Sequence, residues 1–269
     1  MIQLPLFFCL LLLPINIGIE SVKWQQLIAP FEKQNGYQAF RSVCMGITIG
    51  FTVSPVIGDL AAKSSSLILF SKIKAAVVAF IGNTAQLLVS IIMGGFGCIL
   101  LLYCQQLINE QAMIMLMFAE TILSIIFISA YLNVNKLYIL WKRNKYTSYF
   151  YFLRKFSRNF LATQFILSGL RYIIFASQFA LLALAFQIQL PMQIIIICIA
   201  VILGIQSLLP NIILVEIGVR GAASLFVFGL FTGQHEAILL TTYSLWFLNR
   251  CIPGIVGWLF LIRYKPVFA

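Results

Sequence analysis

Two stretches of this chain carry an acid and a base at a spacing that puts both on one face of a helix. The first reads Ser54-Pro55-Val56-Ile57-Gly58-Asp59 and reaches Lys63; the second reads Leu209-Pro210, then Glu216-Ile217-Gly218-Val219-Arg220. In each the base follows the acid by four residues, the order that favours an ion pair along a helix. Each stretch also holds a proline and a glycine, with a Gly-x-x-x-Gly pair beside it, Gly46/Gly50 and Gly229/Gly233. Proline and glycine inside a membrane free backbone groups that must then face protein or water. Paired breaks in two halves of a chain are the pattern of a transporter binding site built from repeats. Pro55, Gly58, Pro210 and Gly218 are therefore expected to interrupt helices. Asp59, Lys63, Glu216 and Arg220 become candidate lipid- or substrate-binding residues. The plainer alternative has each pair neutralise itself at the membrane edge, with the glycines serving helix packing alone.

Arg171 is the fifth candidate. No charged residue lies between Asn159 and Leu170 or between Tyr172 and Val215. A mid-helix arginine costs about 2.5–3.5 kcal/mol on insertion scales. Its partner is expected from Glu216, Glu120, Asp59 or a lipid phosphate. The alternatives are a structural ion pair, or a side chain that snorkels to the interface. Arg250 has the same ambiguity, with Asn249 and Pro253 marking a helix break around it.

Other chemistry finds no support in the sequence. There is no His-Glu-x-x-His, no Gly-x-Ser-x-Gly and no phosphate-binding loop. Six cysteines without Cys-x-x-Cys spacing and a single histidine, His235, make no metal site, and no cofactor is implied. The net charge of +11 is spread between apolar runs, so it reads as membrane topology rather than a nucleic-acid footprint.

The elements that must hold these residues are membrane helices. Of the 269 residues, 62% are hydrophobic and 9% charged, against about 25% charged in a globular domain. The mean hydropathy is +1.02. These values predict an all-α fold: one polytopic transmembrane helical bundle over 1–269, with two broken or re-entrant segments and no soluble catalytic domain. Met1–Ile19 lacks a basic leader and a cleavage site, so it is expected as a retained span. Residues 20–41 suit an amphipathic helix at the interface, and 42–58 a re-entrant piece. Spans are expected over about 75–103 and 111–132. Between them and the next span, 133–160 holds Lys136, Lys142, Arg143, Lys145, Arg154, Lys155 and Arg158 with no acid. Such a segment belongs on the cytoplasmic side. A helical hairpin over 160–187 and 191–209, a short piece over 222–232 and a last span over 237–262 complete the reading. The 63–74 stretch and the C-terminus are basic too, so the C-terminus is expected to be cytoplasmic.

At these residues the chain resembles the flippase-like membrane domain family that includes the transmembrane region of lysylphosphatidylglycerol synthases, in particular its stand-alone bacterial members. Residues Thr52 to Asp59 are similar to the family's Pro-x-x-x-Gly-Glu element, with Asp59 in place of Glu. Leu209-Pro210 through Glu216-Ile217-Gly218-Val219-Arg220-Gly221-Ala222 is similar to its Pro…Gly-Val-Arg-Glu-Ala element, with Gly221 where an acid is usual. Leu170-Arg171-Tyr172 and Asn249-Arg250-Cys251-Ile252-Pro253 also resemble family positions, and the likeness spans roughly 15–265. Members usually carry one more hydrophobic helix before the equivalent of residues 6–40. The resemblance implies a multi-pass protein of the bacterial inner membrane that moves or binds a lipid with a polar or polyprenyl-linked headgroup. It implies no aminoacyl transfer, since the synthetase domain is absent from these residues. Two alternatives stay open: an ion-coupled transporter of a small solute, with Asp59 and Glu216 as coupling carboxylates, and a non-transporting partner of a membrane glycosyltransferase. The expected partners are thus a membrane lipid or a membrane enzyme, and no nucleic acid.

Overall fold

The computed structural model describes residues 3–67, 70–136, 151–208 and 213–263. Helix α1 (Gln3–Ile28) runs unbroken past Pro14. It does not stop at residue 19: its last turns carry Glu20, Lys23 and Trp24, all buried, where an interfacial helix was expected. Asn16, Glu20 and Lys23 lie at i, i+4 and i+7, so they share one face. That face points into the bundle because other helices supply partners for it.

A short hairpin follows. Helix α2 (Gly36–Gly50) is opened by a capping box between Asn35 and Gln38. Helix α3 (Pro55–Ser65) starts on its proline, with the Ser54 hydroxyl accepting from the Ile57 N–H. At 1.5 Å per residue the two arms are about 22 and 16 Å long, too short for a core of about 30 Å. Gln34 donates to the carbonyl and hydroxyl of Ser66, at 3.3 and 3.1 Å, so the hairpin enters and leaves at one end. The break lies at 51–54. Gly58, expected as part of it, sits inside α3. A Cβ there would strike the backbone of Gly50, so this glycine sets the close crossing of the two arms.

Two long helices, α4 (Lys72–Cys104) and α5 (Glu110–Leu132), lead to 3₁₀ turns at Val134–Lys136 and Tyr151–Lys155. Lys142, Arg143 and Lys145 of the expected basic segment fall outside the described residues, as does Lys265. Then come α6 (Arg158–Ala185), α7 (Met192–Leu208) and α8 (Ile213–Gly229). Pro210 lies outside the described residues, between α7 and α8. Gly218 interrupts nothing: α8 is continuous through it, and the piece expected over 222–232 is its second half. The last span is α9 (His235–Trp246), a π-helical turn over Phe247–Cys251, and α10 (Ile252–Ile262). The unit at Asn249, Arg250 and Pro253 is therefore a π-bulge, a form that recurs at functional sites.

Helices α7 and α8 make a second re-entrant hairpin, from the opposite end. Gln234, after α8, donates to the Gln187 carbonyl at 3.2 Å and accepts from the Gln189 N–H at 2.8 Å, in the turn before α7. Both arms thus meet one end of the bundle. The α4–α7 crossing is close: a Cβ on Gly94 would come within 2.7 Å of the Gly204 Cα. Small residues allow such backbone approach where packing rather than hydrophobicity drives association. The order helix, hairpin, helix occurs twice, as α1–α4 and α6–α10, with hairpins entering from opposite ends and α5 between. This is the topology of an inverted repeat.

Among the described residues, five helices are long and apolar enough to cross a membrane: α1, α4, α5, α6 and the α9–α10 unit. Exposed basic residues gather at one end: Lys33, Lys72, Lys136, Arg154, Lys155, Arg158 and Arg263. The turns at the other end carry Glu110 and Glu236 and no lysine or arginine. Two apolar clusters form the core, one around Trp24, Phe156 and Leu161 at the basic end and one around Phe179, Ile195 and Phe228 at the other. The charged residues lie between them.

Candidate functional site

Glu20 is the hub. Its carboxylate accepts from Lys63 Nζ at 2.7 Å, Arg171 Nη1 at 2.8 Å and Lys23 Nζ at 3.4 Å. Three elements therefore converge on one acid: α1, α3 and α6. Lys63 also bonds Asp59, with Nζ 2.9 Å from Oδ1, and lies 5.7 Å from the Trp24 ring centre. Asp59 accepts in addition from Asn83 Nδ2 of α4 at 2.9 Å. The expected Asp59–Lys63 pair thus forms, and its lysine is drawn into a larger buried network rather than left at a membrane edge.

Arg171 finds its partner in Glu20, not in Glu216, Glu120 or Asp59. Its Nε donates to Asn16 Oδ1 at 2.8 Å, and Asn16 Nδ2 donates to Asn249 Oδ1 at 2.8 Å. Asn249 adjoins Arg250, which belongs to a second cluster. There Glu216 Oε1 accepts from Arg220 Nη2 at 2.7 Å and Nε at 3.0 Å, and from Arg250 Nη2 at 3.4 Å. Arg220 Nη1 donates to Gln206 Oε1 at 2.7 Å, tying α8 to α7. The α8 pair also forms as its spacing predicts.

The two clusters face two adjoining cavities that share wall residues. The outer one has a volume of about 330 Å³; its walls include Asp59, Asn83, Gln86, Ser90, Ser207, Arg171 and Arg250. The inner one, of about 150 Å³, is lined by Asn16, Arg220, Trp246 and Asn249 together with Glu20, Arg171 and Arg250, which it shares with the outer. Pro55 and Ser207 on the outer wall bring the tips of the two hairpins together, and Phe51 packs edge-on against Trp246 at 6.2 Å. Of the five candidate residues, Asp59, Arg171 and Arg220 line cavities. Glu216 stands behind Arg220 and Arg250, on a narrow crevice with Gly50 and Trp246. Lys63 is sealed away, 2% exposed, and serves to position Glu20 and Asp59.

The charges do not balance. Five cations, Lys23, Lys63, Arg171, Arg220 and Arg250, meet three acids, Glu20, Asp59 and Glu216. A formal surplus of two positive charges surrounds the cavities. Among the described residues, Arg171 Nη2 and Arg250 Nε and Nη1 have no hydrogen-bond partner, and these side chains keep 30% and 26% of their surface exposed. The indole N–H of Trp246 is buried without a partner, as is Oε1 of Gln86. Such orphaned polar atoms ask for an explanation, a bound ligand among them.

Sequence reasoning missed Glu20, Lys23, Asn16, Asn83 and Trp246. The signal for the first three was their i, i+4, i+7 spacing in an apolar run. No spacing points to Asn83 or Trp246. Fold and site define a helical-bundle membrane protein of inverted-repeat topology with a cationic cavity between its hairpin tips. Comparison with protein-family models, curated proteins and solved structures gives no match.

Proposed function

We propose that this protein binds a membrane lipid by an anionic headgroup and moves it between leaflets. One observation carries the reading: the cavity walled by Arg171 and Arg250 is rimmed by exposed apolar side chains of α3 and α4, and it adjoins an inner cavity where Arg171, Arg220 and Arg250 outnumber Glu20. Val56 and Leu87 on that rim are each 39% exposed and Phe80 is 58% exposed. Acyl chains can stay among such side chains while the headgroup reaches the guanidinium groups, whose charge-assisted bonds to phosphate are strong out of water.

The opposing hairpins support movement rather than binding alone. The outer cavity borders the α4 half nearest the basic end. An apolar groove along Leu239, Leu240, Tyr243 and Trp246 borders α9 near the other end. Trp246 stands between this groove and the inner cavity. In the inverted repeat the two openings occupy matching positions, between α3 and α4 and between α8 and α9. The ion-coupled transporter is the weaker reading. Glu20 and Asp59 are each engaged by cations, and Glu216 is held through Oε1 by Arg220 and Arg250; only its buried Oε2 lacks a partner. The basic end belongs in the cytoplasm by the positive-inside tendency, which puts the C-terminus there. The resemblance drawn from Pro55, Asp59, Pro210 and Arg220 implies a bacterial inner membrane.

Reconstitution into vesicles holding head-labelled lipids tests the proposal. Dithionite quenching from one side should proceed past half of the label for an anionic phospholipid analogue, faster than in protein-free vesicles and than with Arg171→Gln. Equal rates with and without protein for anionic and zwitterionic analogues alike would remove the translocase reading.

A further inference from the structure

The inner cavity differs from the outer in what its walls offer. The residues that line it leave donors without partners, Arg171 Nη2, Arg250 Nε and Nη1 and the buried Trp246 N–H, while Asn16 and Asn249 are occupied with each other and with Arg171. Glu20 on its wall is saturated by three cations. At about 150 Å³ it is less than half the outer cavity, through which a headgroup from the lipid would arrive. The distal end of that headgroup therefore meets three arginines against one acid, Glu20, which is already held by cations. A zwitterionic lipid would bring an ammonium against guanidinium groups. A phosphodiester would need room for its second substituent beyond the phosphate.

We infer that the inner cavity is a subsite for a terminal phosphate, so that the lipid handled is a phosphomonoester. The inference rests on the lipid-handling reading above. A phosphomonoester carries about −1.5 to −2 charges at neutral pH, which matches the formal surplus of two; a diester carries only one. Arg171 keeps Nη2 and Arg250 keeps Nε and Nη1 without a partner, and Trp246 adds a neutral donor.

The test uses the purified full chain and short-chain lipids: dihexanoyl phosphatidic acid, phosphatidylglycerol and phosphatidylethanolamine, with inorganic phosphate as the chain-free probe. Calorimetric titration should rank phosphatidic acid at least about tenfold above phosphatidylglycerol, with inorganic phosphate well below both, since a hydrogen bond to a charged group is worth about tenfold or more. Trp246→Phe keeps the ring and removes only the N–H. It should lower phosphatidic acid affinity about tenfold and leave the melting temperature unchanged. A melting temperature that falls while affinity holds would make the N–H structural and overturn its assignment to the subsite. Equal affinity for phosphatidic acid and phosphatidylglycerol would overturn the phosphomonoester inference and leave the lipid-handling reading standing. Inorganic phosphate bound as tightly as phosphatidic acid would identify a free anion as the ligand and overturn the lipid source. No preference among the three lipids would overturn the reading beneath it.

Discussion

Neutralising Glu20 is the sharpest test of the network. Glu20→Gln keeps the shape and leaves Lys23, Lys63 and Arg171 facing one another where a carboxylate stood 3.4, 2.7 and 2.8 Å from them. Asp59 still engages Lys63, but among the described residues Lys23 loses its one ion-pair partner and Arg171 is left with Asn16. Removing one member of a buried pair costs about 3–5 kcal/mol, because the other charge is left desolvated. On the scale of soluble domains of similar size, that lowers the melting temperature by roughly 10 °C. Removing a stranded cation should then relieve the damage. Glu20→Gln with Lys63→Met should be more stable than the two single losses predict when added, by about 0.5–3 kcal/mol. Thermal unfolding in detergent, read by the loss of the monodisperse chromatographic peak, measures all four corners of the cycle. A Glu20→Gln protein that melts with the wild type, or strictly additive losses, would refute the hub.

The two glycines of the acid–base stretches should respond in opposite directions. Gly58→Ala forces α3 away from Gly50 and should cost about 1–3 kcal/mol, whereas a Cβ on Gly218 meets nothing within 4 Å and Gly218→Ala should stabilise α8 by up to about 1 kcal/mol; chemical or thermal denaturation checks both. For topology, a cysteine at Gln189 in a protein cleared of native cysteines should react with an impermeant thiol reagent added to intact cells, and one at Ser157 only after permeabilisation. Arg171→Gln should leave inserted protein that has lost headgroup selectivity, and Arg171→Lys should recover part of it, because a point charge replaces the planar fork; lipid binding and melting temperature are measured on the same samples.

Much of the bundle is legible in the chain itself. Long apolar runs without charge can only be satisfied as helices in a membrane, so α4, α5, α6 and α9–α10 follow from composition within a few residues. The i,i+4 pairs Asp59/Lys63 and Glu216/Arg220 are local, and helix geometry alone joins them. Pro55 with Ser54 before it marks the start of α3 for the same reason. What the linear pattern does not hold is which face of a helix is turned inward and what lies opposite. Glu20 and Lys23 look like surface residues of an interfacial helix until α3 and α6 supply Lys63 and Arg171 from residues far along the chain. Gly58 and Gly218 look alike in sequence; one is pressed against a neighbouring backbone and the other touches nothing. The direction of the second hairpin is settled by Gln234 reaching Gln187 and Gln189. The charge surplus around the cavities, and with it the case for an anionic ligand, exists only once four helices and the π-bulge have brought eight charged side chains together. Helix propensity and hydropathy act over a turn or over one span, whereas burial of a charge is decided by every element packed around it.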